Sequence, residues 1–304
     1  MAEWDDAGLL RQWLPAYRVD VRACLGPLRR GASDPAMVLD AQGAWRVSQT
    51  PEGAATMRVT RHGSGVEARA WGEGARWALD QLPRLLGDDD DPSQLDPRGH
   101  SLVEFAAARY EDFRLGATDL VWESLAPAIL EQKVTGKQAR QAWSWMVTRY
   151  GQPAPGPAPS HMRVPPTPEI CRAIPSWEWH EAGVDPARSG TLVQIAAVAD
   201  RFEGLDSVTA DTRMRSRPGV GVWTSAEVRQ RAHGDPDAIS VGDYHLASFI
   251  GSALAGGPVD DAGMLELLEP WAGQRQRVVR ILALTIGKTE RRGPRATITD
   301  HRRR

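Results

Sequence analysis

Strand character is confined to one stretch of this chain. Residues 36–40, 45–49, 56–60 and 66–71 are rich in alternating apolar and β-forming residues. Gly, Pro and Ser turns such as Gln42-Gly43 and Gly63-Ser64-Gly65 separate them, the pattern of antiparallel hairpins. Strand signals of this kind vanish after about residue 100. The distribution excludes an alternating βαβ chain with a parallel sheet. It predicts an α+β fold: a small antiparallel sheet domain at the N-terminus, then a mostly helical part.

Residues 73–86 show helical spacing, with Trp77, Leu79, Leu82, Leu85 and Leu86 apolar. The run Gly87-Asp88-Asp89-Asp90-Asp91-Pro92 is too acidic and too Pro-bounded to pack, and reads as a linker. An N-terminal α+β domain is therefore expected over 1–104 and a helical domain over 105–304. Amphipathic segments follow at 101–111, 119–132, 136–150, 186–202, 224–233, 243–255, 260–269 and 273–287, parted by Pro/Gly stretches such as 152–159.

The 304 residues suffice for two domains with a sizeable core, into which most of the 12 tryptophans should go. With 41% hydrophobic and 25% charged residues the chain reads as soluble and globular. It holds no run of about 18 apolar residues that would span a membrane. Met1-Ala2-Glu3-Trp4-Asp5-Asp6 is acidic and lacks the apolar stretch of a secretory signal. Cys24 and Cys171 are too few for a four-cysteine zinc or iron–sulfur site and suggest no disulfide framework. A cytoplasmic monomer is the expectation.

Charge is uneven. The net charge of −2 argues against a general polyanion binder, yet residues 1–104 hold 12 basic and 16 acidic side chains while residues 271–304 hold 10 and 2. Such asymmetry fits a local nucleic-acid face, or else a solvated basic tail ending in Arg302-Arg303-Arg304, which reads as disordered.

Several motifs fail. Gly63-Ser64-Gly65-Val66-Glu67-Ala68 formally fits a dinucleotide fingerprint but lacks a following helix, so it reads as a hairpin turn. Gly136-Lys137 has no Gly five positions earlier, and His180-Glu181 has no second His at helical spacing. No metal site is expected. One motif holds: Arg217-Pro218-Gly219-Val220-Gly221 is a tight two-glycine turn with a helical segment before it. Thr224-Ser225-Ala226-Glu227 looks like a capping box opening the next helix. A helix N-terminus with free N–H groups on such a turn suits a phosphate, gripped by the amides of Gly219 and Gly221 without reading bases. Alternatively the turn merely joins two helices. Asp243 lies 22 residues past Gly221, in Asp243-Tyr244-His245-Leu246, which opens a helix. It is either a functional carboxylate or an N-cap.

The segment 217–246 resembles the signature of the helix-hairpin-helix DNA glycosylase superfamily, most of all the 3-methyladenine DNA glycosylase II branch. Ala128-Ile129-Leu130-Glu131-Gln132-Lys133-Val134-Thr135 looks like that branch's Gln-containing turn that enters DNA. Pro166-Thr167-Pro168-Glu169 resembles its helix starter, and Glu269-Pro270-Trp271 with the following helix its closing element. The small N-terminal sheet fits the same branch. The resemblance thus covers most of the chain and implies a helical domain of two lobes with the active-site cleft between them.

By this resemblance Asp243 is the catalytic carboxylate. Breaking an N-glycosidic bond builds positive charge on the sugar, and a nearby carboxylate stabilises it or activates water. The base must first be flipped out of duplex DNA. Trp223 stands where bifunctional relatives carry a nucleophilic Lys, so a monofunctional enzyme is implied, leaving an abasic site. An indole also suits a cationic alkylated base. Tyr244 is expected in the base pocket. Glu227 and Arg280 replace pocket aromatics of relatives and either face the base or lie at the surface. Gln132 and Lys133 match the turn that fills the gap behind the flipped base; the wedge is Lys133's stem, Gln132 or another residue. Arg215 and Arg217, with Val220 and Thr224 around the glycines, are expected at the phosphates, as is Arg213. Hairpin carbonyls near Arg215, Arg217 and Val220 are candidates for a monovalent cation (Na+ or K+), with no catalytic cofactor. The competing reading is a DNA-binding protein that keeps the hairpin but has lost base excision.

Overall fold

A computed structural model describes residues 7–287. Met1–Asp6 and the basic tail past Gly287, including Arg302–Arg304, lie outside the described residues.

The N-terminal unit is a five-stranded antiparallel sheet of β1 (Leu9–Trp13), β2 (Met37–Leu39), β3 (Gly43–Thr50), β4 (Gly53–His62) and β5 (Gly65–Trp71), ordered β1-β5-β4-β3-β2. The three central strands pair His62 with Gly65 across the Gly63-Ser64 turn and Thr50 with Gly53 at the other end. Gly43 is required by packing: a Cβ there would sit 1.9 Å from the Val59 carbonyl oxygen. One face, with Ala44, Met57, Val59, Val66 and Ala68, packs on α1 (Val21–Leu25), α2 (Ala75–Asp80) and α3 (Leu82–Leu85). On the other face Trp45 stacks on Trp71 at 5.8 Å, and Val47 meets Met162 and Val164.

The helices that follow are α4 (Ser101–Arg109), α5 (Val121–Leu130), α6 (Gly136–Tyr150), α7 (Pro168–Ala173), α8 (Ser176–Glu181), α9 (Pro186–Ala196), α10 (Ser207–Arg215), α11 (Val222–Val228), α12 (Leu246–Leu254), α13 (Asp261–Leu268) and α14 (Arg275–Ile286). They form two cores. The first gathers α5 to α11 around Leu125, Ile129, Trp143, Trp179 and Phe202. The second gathers α4 and α12 to α14 around Val103, Ile250, Leu268, Val278 and Leu282. Burying each such large apolar side chain contributes about 2 kcal/mol. Trp177 alone among the described tryptophans is exposed. No described helix is long and apolar enough to cross a membrane.

The α+β class holds, with four corrections to the sequence reading. Strand β1 escaped it because an edge strand, here exposed at both Leu9 and Leu10, lacks the buried alternation that marks a strand. Two-residue strands β6 (Gln152–Pro153) and β7 (Arg163–Val164) do occur after residue 100. Helix α8 had no periodic signal at six residues. The acidic run is not a loose linker: Asp90 pairs with Arg277, whose exposure is 2%, and accepts the Leu115 amide at 2.8 Å. Acidic residues pack when a buried cation lies opposite, and this one comes from α14.

Removing that carboxylate leaves a guanidinium without its counter-charge in the second core. Asp90→Asn is expected to cost about 3 kcal/mol in urea unfolding. A loss under 0.5 kcal/mol, within the usual scatter of surface changes, would contradict this role.

Candidate active site

The segment between α10 and α11 has the form of a type II turn. The Val220 amide donates to the Arg217 carbonyl at 3.1 Å, Pro218 sits at the second position, and Gly219 at the third has φ +83°. Gly219 is needed twice over, because a Cβ would also lie 2.3 Å from the Thr191 hydroxyl on α9. Gly221 is different. Its backbone is extended and a Cβ would meet nothing within 4 Å, so the open space there belongs to the outside. Gly221 is itself the N-cap of α11, and no side chain caps this helix. Its first N–H groups therefore lie at an exposed turn, the arrangement that favours an anion. The helix continues as a π-turn, Arg229–His233, and stops at Gly234 with φ +63°.

The following loop is pinned side chain by side chain. Asp235 pairs with Arg229 at 2.6 Å, and burial, which opposes it, is outweighed by bonds from Ser207, the Asp237 amide and Arg229, so its carboxyl is held below the usual range. Asp237 accepts the Gly273 amide at 2.8 Å and binds Arg275, fastening the loop to the start of α14. The Ser240 hydroxyl donates to Glu227 at 2.6 Å and accepts from Gln230 at 2.9 Å. The Asp243 amide donates to the Ser240 carbonyl at 3.1 Å.

Asp243 is thereby delivered to α11. One oxygen, Oδ1, accepts the amides of His245 and Leu246 at 2.8 and 2.9 Å, so Asp243 pins the turn that leads into α12, whose N-cap position is His245. The other, Oδ2, accepts the Trp223 indole N–H at 3.3 Å. Trp223 is the second residue after Gly221, so the carboxylate sits beside the glycine turn, in contact with the helix that the turn begins. The side chain is half-buried. Oδ1 is taken by two backbone amides, while Oδ2 has a single donor and remaining acceptor capacity.

Further along the same face of α11, one turn on, is Glu227. It binds Arg231 at 2.8 Å and the Ser240 hydroxyl. Burial alone would raise its pKa; the Arg231 charge, the Ser240 bond and the Arg30 charge outweigh it and keep the carboxyl below its ordinary range. Arg280 of α14 is half-buried, reaches the Ala23 carbonyl at 3.4 Å and lies 5.8 Å over the Phe113 ring. Burial and the Arg231 charge pull its pKa down to about 10, so it stays a cation.

Comparisons with known proteins bear on this geometry. No protein-family model matches the chain. A solved 3-methyladenine DNA glycosylase from Archaeoglobus fulgidus superposes with a TM-score of 0.76, covering 91% of this chain and 99% of that one at 16% identity. An 8-oxoguanine glycosylase/lyase from Clostridium acetobutylicum, in complex with double-stranded DNA, gives 0.66 over 92% and 99% at 11% identity. The chain has the fold of these two solved glycosylases. In sequence it is 30% identical over 181 residues to the probable bifunctional transcriptional activator/DNA repair enzyme AlkA of Mycobacterium tuberculosis. That match takes in 54% of this chain and spans about a third (34%) of the length of that protein.

Within the hairpin fold, several residues stand elsewhere than expected. Thr224 opens no capping box and its hydroxyl does not face outward: α11 starts two residues earlier, and Thr224 is 2% exposed with its hydroxyl bonded to Gln132. Glu227, the box's other half, faces Arg231 and Ser240. The Val220 side chain is buried in the first core, so only its backbone belongs to the surface. Tyr244 is 90% exposed and meets His245 edge-on at 4.8 Å; with Asp243 turned inward to Trp223 and the turn before α12, its neighbour points out, and it encloses no pocket. Glu227 and Arg280 lie inward, away from the surface position left open for them. Arg215 is paired with Asp211 at 3.0 Å and Arg217 is half-buried, while Arg213 is exposed. Lys133 is exposed in the left-handed region at φ +53°. Sequence reasoning missed the anchors Ser240, Asp235 and Asp237; a run of Asp and Ser after a helix end is a weak sign of such a pinned loop. Among the described residues no cluster of His, Cys, Asp and Glu is placed to hold a metal.

A side chain at Gly219 would break the turn and push on Thr191. Gly219→Val is expected to weaken binding of an undamaged duplex about tenfold, roughly one charge-assisted hydrogen bond, by fluorescence anisotropy. Unchanged affinity would show that the turn does not touch the strand.

Proposed function

We propose that this protein is a monofunctional DNA glycosylase of base excision repair, releasing alkylated purines such as 3-methyladenine from duplex DNA and leaving an abasic site. The observation that carries the reading is Asp243 Oδ2 held at 3.3 Å from the Trp223 indole, next to the Gly219–Gly221 turn. The fold shared with solved DNA glycosylases, one of them bound to duplex DNA, supports it. The sequence match to a DNA repair enzyme supports it too.

In this reading the amides at Gly219, Gly221 and the start of α11 hold a strand phosphate, while exposed Arg213 and Lys133 add sequence-independent attraction. The extruded nucleotide's sugar sits at Asp243 Oδ2. As the glycosidic bond stretches, positive charge on the sugar is met by this fixed anion, which also orients the attacking water and takes its proton. A cationic alkylated base leaves readily, so no general acid is needed. Trp223 offers its ring face to that base. It has no amine, so no Schiff base forms and the strand stays intact. The hairpin carbonyls of Arg215, Arg217 and Val220 would be the oxygen donors to a monovalent cation. Arg217 O takes one bond, from Val220, and keeps a second lone pair.

The test is single-turnover incubation with duplexes bearing 3-methyladenine, 7-methylguanine, hypoxanthine, uracil or 8-oxoguanine, reading free base by mass. Alkylated purine is expected to be released and borohydride to trap no protein–DNA adduct. Asp243→Asn should lower the rate at least about 100-fold, the scale of lost electrostatic or acid–base assistance. Full activity in that variant would refute the mechanism, and release of no base from any duplex would favour a protein that binds DNA without excision.

A further inference from the structure

Helix α5 ends in a turn that is fastened from three directions. The Leu130 carbonyl accepts from Arg188 of α9 at 2.8 Å, and this guanidinium is buried and bound in turn to Asp185. Glu131 pairs at 2.7 Å with Arg30, a buried residue of the sheet domain. Gln132 points the other way. Its amide nitrogen donates both hydrogens, one to the Gly219 carbonyl at 2.9 Å and one to the Thr224 hydroxyl at 2.9 Å. The next residue, Lys133, swings into the left-handed region and out to solvent. Helix α9 also meets the hairpin, because Thr191 lies against Gly219 one turn beyond Arg188.

A Gln side chain has two amide hydrogens, and here both are engaged inside the protein. The Gly219 carbonyl and the buried Thr224 hydroxyl lie on opposite sides of the Gly221 cap, so one amide spans the hairpin and the first turn of α11. Gly219 and Gly221 have no side chains with which to fix themselves, and no side chain caps α11. A backbone that grips phosphate must be held still before the ligand arrives, since ordering it on binding subtracts from affinity.

We propose that Gln132 is a positioning residue: it clamps the hairpin to the end of α5 and does not fill a gap in the DNA, which leaves Lys133 as the tip of that turn presented outward. The clamp rests on the reading that the hairpin holds a strand, and its consequences for hairpin order do not depend on excision. Through Glu131 and Arg30 the sheet domain braces the same turn, so its part in binding is to fix the post on which the hairpin rests.

The two roles differ in which DNA they affect. A gap filler works only where a base has left the stack. A clamp works on any duplex. The variants are Gln132→Ala, the isosteric Gln132→Glu, which has no amide donors, and Thr224→Val, which removes one acceptor. Amide hydrogen exchange of the free protein over 219–224 is expected to speed up at least about fivefold in both Gln132 variants, with melting otherwise cooperative. Affinity for an undamaged duplex and for one bearing a stable abasic analogue should fall by the same factor, about tenfold, one to two lost hydrogen bonds. Thr224→Val and Gln132→Ala should be non-additive when combined. Unchanged exchange over 219–224 would overturn the proposal. So would loss of affinity for the abasic duplex alone, which is the signature of gap filling. If the wild-type protein binds duplex but releases no base, the functional reading fails and the clamp is still decided by exchange and affinity.

Discussion

Both oxygens of the Asp243 carboxyl are held by N–H groups beside an indole. The start of α12 supplies two of them and Trp223 the third. Hydrogen bonds to a charged acceptor are each worth roughly 1.5–3 kcal/mol, enough to fix the carboxylate's direction. That fixity matters because a carboxylate stabilises developing charge only if it does not reorient as the charge appears. The loop behind it carries the same logic further: Asp235, Asp237 and Ser240 tie the chain to α10, α11 and α14 before it reaches Asp243.

The two helical cores meet along this line. Helix α11 belongs to the first core and α12 to the second. The Trp223–Asp243 bond therefore crosses between them. Charged pairs do similar work between the sheet domain and the helices: Arg30 with Glu131, and Arg46 with Glu123 at 3.1 Å. Burial pushes the Glu123 carboxyl up, with the Arg46 charge opposing it. Such pairs add little net stability compared with apolar packing, but each fixes register, because breaking one strands a buried charge.

Much of this was legible in the sequence, and the failures have physical reasons. The central strands alternate in residue type over short runs and helices such as α6 bury one face, so their periodicity showed. The Arg217–Gly221 turn was legible because Pro and Gly demand particular backbone angles regardless of context. That Asp243 comes to lie against the helix after the turn was expected from the resemblance of its surroundings. Thr224 and Glu227 were misread because a capping-box spacing is local, while their partners, Gln132 and Ser240, come from other elements. Asp90 was misread for the same reason: its partner Arg277 is 187 residues away. The bonds of Gln132 to Gly219 and Thr224 were not legible, because no local pattern says where a long amide side chain points.

The central claim is that Asp243 provides a fixed negative charge at the sugar of an extruded nucleotide. It is tested most directly by comparing affinity for two duplexes that differ only at one abasic position, a cationic pyrrolidine against a neutral tetrahydrofuran. The account predicts tighter binding of the cationic analogue, by about tenfold or more, the scale of a charge-assisted contact. Equal affinity for the two duplexes would contradict it.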